Sequence, residues 1–128
     1  MKQQLEEKDW REFWGRFAQG PGGGDWFAEI GRRYGEAGRR YHNGEHIADC
    51  LAEFRPVAHL AVRPVEVELA LWLHDVVYDP RAVDNEERSG EFAREVGRAG
   101  NVGLEFEERV VGLILATKHS GRALGEDA

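Results

Sequence analysis

Apolar residues recur every three to five positions along most of this chain, a pattern typical of helices with one buried face. The first such stripe consists of Leu5, Trp10, Phe13, Trp14 and Phe17. The glycine-rich stretch GPGGG at residues 20–24 then predicts a loop. Asp25 follows it as a suitable N-cap for a second helix. The apolar stripe of that second helix consists of Trp26, Phe27, Ile30 and Tyr34.

Two prolines delimit the next two predicted helices. The third helix is expected from about Tyr41 to Phe54, because Pro56 disfavours helical backbone just before it. Pro64 suits the first position of a fourth helix, which continues through VEVELALWLHDVV at residues 65–77. That segment is apolar on nearly every side, so we expect a central buried helix.

The last third of the chain predicts two more helices. Asp84 is a suitable N-cap, and Glu87 three residues later completes the pattern of a capping box, for a helix that runs to about Gly97. The final stripe spans residues 105–117. Since no segment alternates apolar and polar residues long enough to form a sheet, the expected fold class is all-α. We expect one domain over residues 1–128, a bundle of about five to six helices.

Composition and charge narrow the possible partners. The chain has 17 basic and 24 acidic residues, a formal charge of −7, which disfavours binding to a nucleic-acid polymer. No apolar run approaches the length of a membrane span, and the N-terminus lacks the apolar core of a secretory signal. Cys50 is the single cysteine, which suits a reducing compartment. These features together predict a cytoplasmic protein without a membrane partner.

Two pairs of residues could carry chemistry. His42 and His46 are four positions apart, so on a helix their imidazoles would share one face, although such a pair is also common on a helix surface. His74 and Asp75 follow directly on the apolar run of the fourth helix. A carboxylate at the edge of the core needs a partner. A bound metal ion is one explanation for Asp75, and an arginine partner or a turn that Asp75 caps is an equally good one.

The order of these motifs resembles the HD superfamily of metal-dependent phosphohydrolases. The segment YHNGEHIADCL at residues 41–51 is similar to the YHNxxHxxD segment of cyclic-nucleotide phosphodiesterases, which share the HD core. The succession of YHNGEHI, WLHDVVYD, DNEERS and ATKH is most similar to a bacterial family of predicted HD-type phosphohydrolases. The resemblance covers about residues 30–119, and therefore implies an HD-like helical bundle.

This resemblance implies roles for particular residues. His46, His74 and Asp75 match the metal ligands, and His119 falls where some HD enzymes supply a further metal-binding histidine. His42 matches the histidine that protonates the leaving oxygen. In related enzymes acidic groups after the HD doublet help to position the attacking water, and the resemblance implies that role for Asp84 and Glu86. The implied cofactor is one or more divalent ions, with Mn, Zn, Fe, Ni, Co or Mg as candidates.

The implied reaction is hydrolysis of a small phosphorylated substrate, such as a nucleotide, by water that the metal activates.

The family pattern ends with an aspartate on a further helix, which has no counterpart here, so a C-terminally shortened domain is expected. Two consequences are predicted. A catalytically impaired HD module, acting in metal or nucleotide binding or in assembly, is the alternative function. An uncovered apolar face on residues 106–117 would favour a homodimer.

Overall fold

The computed structural model describes residues 4–37, 39 and 42–125, with side chains in the last helix described as far as Lys118. Regular structure in this described part is entirely helical, which confirms the all-α class. The helices are α1 (Glu7–Phe17), α2 (Gly23–Tyr34), α3 (Gly44–Phe54), a 3-10 helix (Arg55–Leu60), α4 (Pro64–Leu73), α5 (Asn85–Ala99) and α6 (Leu104–Gly125). None of the described helices is both long and apolar enough to cross a membrane.

Helix α4 is the centre of the bundle, as its apolar sequence predicted. It contacts α3, α5 and α6, and Leu69, Trp72 and Leu73 on it are buried. The edge of the Trp72 ring packs against the ring of Trp10 on α1, with 5.2 Å between the ring centroids. Burying such aromatic side chains supplies a large part of the hydrophobic free energy of a small domain.

Two glutamates interrupt the apolar sequence of α4, and both are buried with cationic partners. The carboxylate of Glu66 accepts two hydrogen bonds of 2.8 Å from the guanidinium of Arg109 on α6. Glu68 lies 3.4 Å from Arg16 on α1 and 3.7 Å from Arg55 in the 3-10 helix. Each carboxylate can therefore be buried without leaving an uncompensated charge.

Helix α2 begins earlier than the sequence indicated. Gly22, with φ +121°, is its N-cap, so the prediction that Asp25 caps this helix is wrong. Asp25 instead lies in the first turn, where a carboxylate is favourable near the positive end of the helix dipole. Two tryptophans of α1 fix the glycine-rich segment where α2 begins. The indole N–H of Trp10 donates to Gly23 O at 2.7 Å, and the indole N–H of Trp14 donates to Gly20 O at 3.1 Å.

Helix α3 begins later than predicted, at Gly44 rather than near Tyr41, which lies outside the described residues. The side-chain oxygen of Asn43 accepts a hydrogen bond of 3.1 Å from the backbone N–H of His46 and so caps the helix. His42 therefore precedes the helix, and the expectation that His42 and His46 share a helical face is wrong. Both side chains instead face the carboxylate of Asp75.

The remaining helices also differ from their predicted bounds. Helix α4 ends at Leu73, four residues before the predicted end, and α5 ends at Ala99 instead of about Gly97. Asp84 is the N-cap of α5 as predicted, but its side chain makes no capping hydrogen bond. The expected capping box is therefore incomplete, and Glu87 pairs with Lys118 of α6 at 2.9 Å.

Helix α6 extends beyond the predicted 117 and packs most extensively against α5. Within residues 106–117 its apolar face is largely covered by the chain itself, since Val110, Val111 and Ile114 are buried. Leu113 is partly exposed, at 38%, beside the exposed Val62. The homodimer stays a prediction.

Candidate metal centre

Three side chains with metal-binding atoms converge where the start of α3 meets the end of α4. His46 lies in the first turn of α3, and His74 and Asp75 follow directly on α4. Nε2 of His46 is 3.7 Å and Nε2 of His74 is 3.5 Å from Oδ2 of Asp75. Among the described residues, these three form a group whose ligand atoms all lie within 4.8 Å of one another. The structure therefore brings together three of the four residues predicted as metal ligands.

The turn after α4 directs Asp75 toward the two histidines. The backbone N–H of Val76 donates to Leu73 O at 3.1 Å, and the Val76 side chain is buried in the core. Consecutive residues in this tight turn point in different directions, so burial of Val76 leaves the Asp75 carboxylate facing the site. Ser89 of α5 holds the next residue: its hydroxyl accepts from Val77 N at 3.0 Å and donates to Val77 O at 3.3 Å.

His74 has the orientation of a metal ligand. Its Nδ1–H donates to the backbone carbonyl of Leu71 at 3.0 Å, one turn earlier on the chain. This bond sets the tautomer that carries the proton on Nδ1, so the lone pair of Nε2 faces Asp75. Metal-ligating histidines commonly have their second nitrogen bonded to a carbonyl or carboxylate in this way.

The charge state of the cluster suits a cation. Burial alone would raise the pKa of Asp75, but the hydrogen bond from His42 and the nearby imidazoles together lower the pKa below its usual value. Burial lowers the pKa of His46 and outweighs the opposite influence of Asp75. Near neutral pH the site therefore offers a carboxylate and a neutral imidazole, the protonation states that metal binding requires.

His42 reaches the cluster through Asp75. Its Nδ1–H donates to Oδ2 of Asp75 at 2.9 Å, and its ring stacks on the ring of Tyr78 with 4.3 Å between centroids. The hydrogen bond to Asp75 raises the pKa of His42, an influence that exceeds the opposing one of burial. His42 is therefore more readily protonated than an ordinary histidine, and it lies beside the candidate metal ligands. Its role as proton donor stays a prediction.

Among the described residues, the predicted Asp84 and Glu86 are not part of the group formed by His46, His74 and Asp75. Glu86, in the first turn of α5, is half-buried, and its charge contributes to the raised pKa of His42. Asp84 is exposed, and its charge influences Lys118. Lys118 itself pairs with a glutamate on α5. The predicted metal-binding role of His119 falls on a side chain outside those the structure describes.

Two further contacts at the site were not predicted. The thiol of Cys50, one helical turn after His46, lies 3.8 Å from Nε2 of His46, within reach of an S–H···N hydrogen bond. Burial, with the neighbouring carboxylates, raises the pKa of this thiol to about 11, so it stays protonated. The guanidinium of Arg39 contacts the backbone beside both His42 and Asp75. The spacing of i and i+4 could have indicated Cys50, whereas no local pattern marks Arg39.

The three candidate ligands fit a divalent transition metal. Metal–ligand bonds of about 2.0–2.2 Å place neighbouring donors of a tetrahedral site roughly 3.3–3.6 Å apart. The separations of 3.5 and 3.7 Å from Asp75 to the two histidines are close to that requirement. Two imidazole nitrogens and one carboxylate oxygen suit zinc, manganese, iron, cobalt or nickel, and three protein ligands leave room for water or substrate.

No protein family, curated protein or solved structure matches this chain. A compact group of two histidines and one aspartate, with a protonatable histidine bonded to that aspartate, combines a candidate metal centre and a proton donor.

Proposed function

We propose that this chain is a metal-dependent phosphohydrolase of the HD type that acts on a small phosphoester, such as a nucleotide. The observation that carries the proposal is the cluster of His46, His74 and Asp75, whose ligand atoms lie within 4.8 Å of one another. The order of these residues along the chain, and their resemblance to the HD pattern, supports hydrolysis rather than another metal-dependent reaction.

His46, His74 and Asp75 would hold the metal ion. A divalent ion in this position would polarise the phosphoryl oxygens and lower the pKa of a bound water. Asp75 contributes in two ways, because the same carboxylate oxygen faces the histidine ligands and accepts the hydrogen bond from His42. It thereby places the proton donor beside the candidate metal position.

His42 is the group that would protonate the leaving oxygen. Its Nδ1 is engaged with Asp75, so Nε2 is the nitrogen available to donate a proton to substrate. In the metal-free protein the hydrogen bond to Asp75 raises the pKa of His42, so the imidazole takes up a proton more readily than an ordinary histidine. The stacked ring of Tyr78 fixes the plane of the imidazole and so limits the directions in which Nε2 can point.

The test is elemental analysis combined with assays on a panel of nucleotide and other phosphoesters. We expect the purified protein to bind about one divalent ion or more per chain, and Asp75→Asn to lose metal and hydrolysis together. Asp25→Asn is the matched control, since it makes the same chemical change at an exposed position on α2. His42→Asn should retain the metal while its turnover number falls by about 10²-fold or more.

The outcomes separate the candidate functions. Stoichiometric metal without hydrolysis of any phosphoester would replace the proposal with a metal-binding module. Absence of metal in the wild-type protein after incubation with zinc and manganese would contradict the metal centre itself. Equal metal content in wild type and Asp75→Asn would show that any bound ion lies elsewhere.

A further inference from the structure

Arg39 is the most completely buried cation among the described residues that surround the candidate site. Its side chain, in the segment between α2 and α3, is 3% exposed. Glu36 is its carboxylate partner, with Oε1 accepting from Nε at 3.1 Å and from a terminal nitrogen at 2.9 Å. A buried guanidinium is tolerated only when its N–H groups have acceptors, so the remaining acceptors show what this residue holds in place.

Those acceptors are backbone carbonyls on both sides of the site. One terminal nitrogen of Arg39 donates to His42 O at 3.1 Å and to Asp75 O at 2.8 Å, and the other donates to Val76 O at 2.9 Å. Asp75 is 36 positions away along the chain. One side chain thus connects the segment that carries His42 with the turn that carries Asp75.

Aromatic contacts reinforce this connection. The guanidinium carbon of Arg39 lies 5.5 Å from the ring centre of Tyr34 and 5.8 Å from that of Tyr78. The hydroxyl of Tyr34 donates to Trp72 O at 2.7 Å, near the end of α4. Tyr78 in turn stacks on His42. Arg39 therefore contacts the ring that orients His42 as well as the backbone of His42.

We propose that Arg39 is the positioning residue that holds His42 and the His74–Asp75 turn in register, and so preorganises the metal site. The planar guanidinium can donate to three carbonyls in fixed directions, which the single ammonium of a lysine cannot reproduce. The part of this inference that concerns metal binding rests on the proposed function. The part that concerns the approach of the two segments does not.

The experiment compares wild type, Arg39→Met, Arg39→Lys and a control, Arg109→Met. Arg109 also donates two hydrogen bonds to a buried carboxylate, that of Glu66, but at the opposite end of α4 from the site. The first readout is NMR of the metal-free protein, in which a nuclear Overhauser contact between the ring protons of His42 and Tyr78 reports their stacking. The second readout is titration with Co²⁺ alone, followed by its visible absorption.

We expect Arg39→Met to lose the ring contact between His42 and Tyr78 and to bind Co²⁺ about 10–100-fold more weakly. Arg39→Lys should fall between this variant and wild type. Arg109→Met should keep the ring contact and a Co²⁺ affinity within about twofold of wild type, even where its melting temperature is lower. An effect on stability common to both arginines would then be distinguished from the effect on the site.

Retention of the ring contact and of wild-type Co²⁺ affinity in Arg39→Met would overturn the proposal. If Arg39→Met does not fold, Arg39→Lys decides in its place, and wild-type values for both readouts in that variant would likewise overturn it. If wild type binds no Co²⁺, the proposed function fails, while the ring contact in the metal-free variants still decides whether Arg39 positions His42.

Discussion

Replacing Ser89 with alanine removes the side chain that attaches the turn after α4 to helix α5. Ser89 is fully buried, and its hydroxyl bonds both backbone groups of Val77, two residues after Asp75. The substitution deletes one oxygen and leaves the helix intact. Its consequence is therefore confined to the hydrogen bonds of the turn.

The magnitude follows from the two backbone groups that lose a partner. A buried polar group left without a hydrogen bond costs about 1–3 kcal/mol. The bond of 3.0 Å from Val77 N should account for most of that cost, since the bond of 3.3 Å to Val77 O is longer. Alanine recovers about 0.5 kcal/mol through its higher helix propensity. The expected net loss of unfolding free energy for Ser89→Ala is about 1–2 kcal/mol.

The assay is urea unfolding of the metal-free protein, followed by tryptophan fluorescence. Thr117→Ala is the matched control. The Thr117 hydroxyl donates to Ile114 O at 2.6 Å within α6, so the substitution removes a hydrogen bond that does not connect two helices. We expect a change below about 0.5 kcal/mol for that variant. A loss for Ser89→Ala no larger than that of Thr117→Ala would refute the view that this hydroxyl anchors the turn.

Three further predictions concern titration, hydrogen bonding and backbone freedom. Burial lowers the pKa of His46, so its NMR titration midpoint in the metal-free protein should lie below 6.5. The folded state should therefore lose stability as the pH falls through 6.5. A midpoint at or above 6.5 would contradict this prediction. Trp10→Phe removes the donor to the buried Gly23 O and should lower the free energy of unfolding by about 1–3 kcal/mol, measured by urea unfolding. An unchanged urea midpoint would show that this hydrogen bond is dispensable. Gly31→Ala, in the interior of α2, should stabilise the chain by about 0.5–1 kcal/mol, because no atom beyond its chain neighbours and the backbone of α2 lies within 4 Å of the added methyl group. A lower melting temperature would argue against that packing.

Local sequence was sufficient for the fold class and for most of the helices. The periodic apolar positions determine which face of α1 and α2 is buried, and the continuous apolar run determines that α4 is central. The ends of the helices were less predictable. Gly22 and Asn43 are the N-caps of α2 and α3, and their suitability depends on backbone angles and contacts that no single residue type reveals.

The candidate site divides in the same way. His46, His74 and Asp75 could be selected from the sequence, because their order along the chain resembles that of the metal ligands in the HD superfamily. Their approach to within 4.8 Å depends on how α3 packs against α4. The same holds for the bond between His42 and Asp75, since the helical spacing that suggested His42 does not exist in the structure.

The sequence by itself determined the residues available for chemistry and the helices beside which they lie, because the apolar pattern that forms each helix depends on neighbours along the chain. Only the tertiary structure decided which groups orient those residues. Arg39 acts on backbone carbonyls 36 and 37 positions away, and Ser89 on a residue 12 positions away. Every residue has a backbone carbonyl, so the residue type does not show which carbonyl will accept a hydrogen bond from a distant side chain. That pairing is decided only when the helices pack.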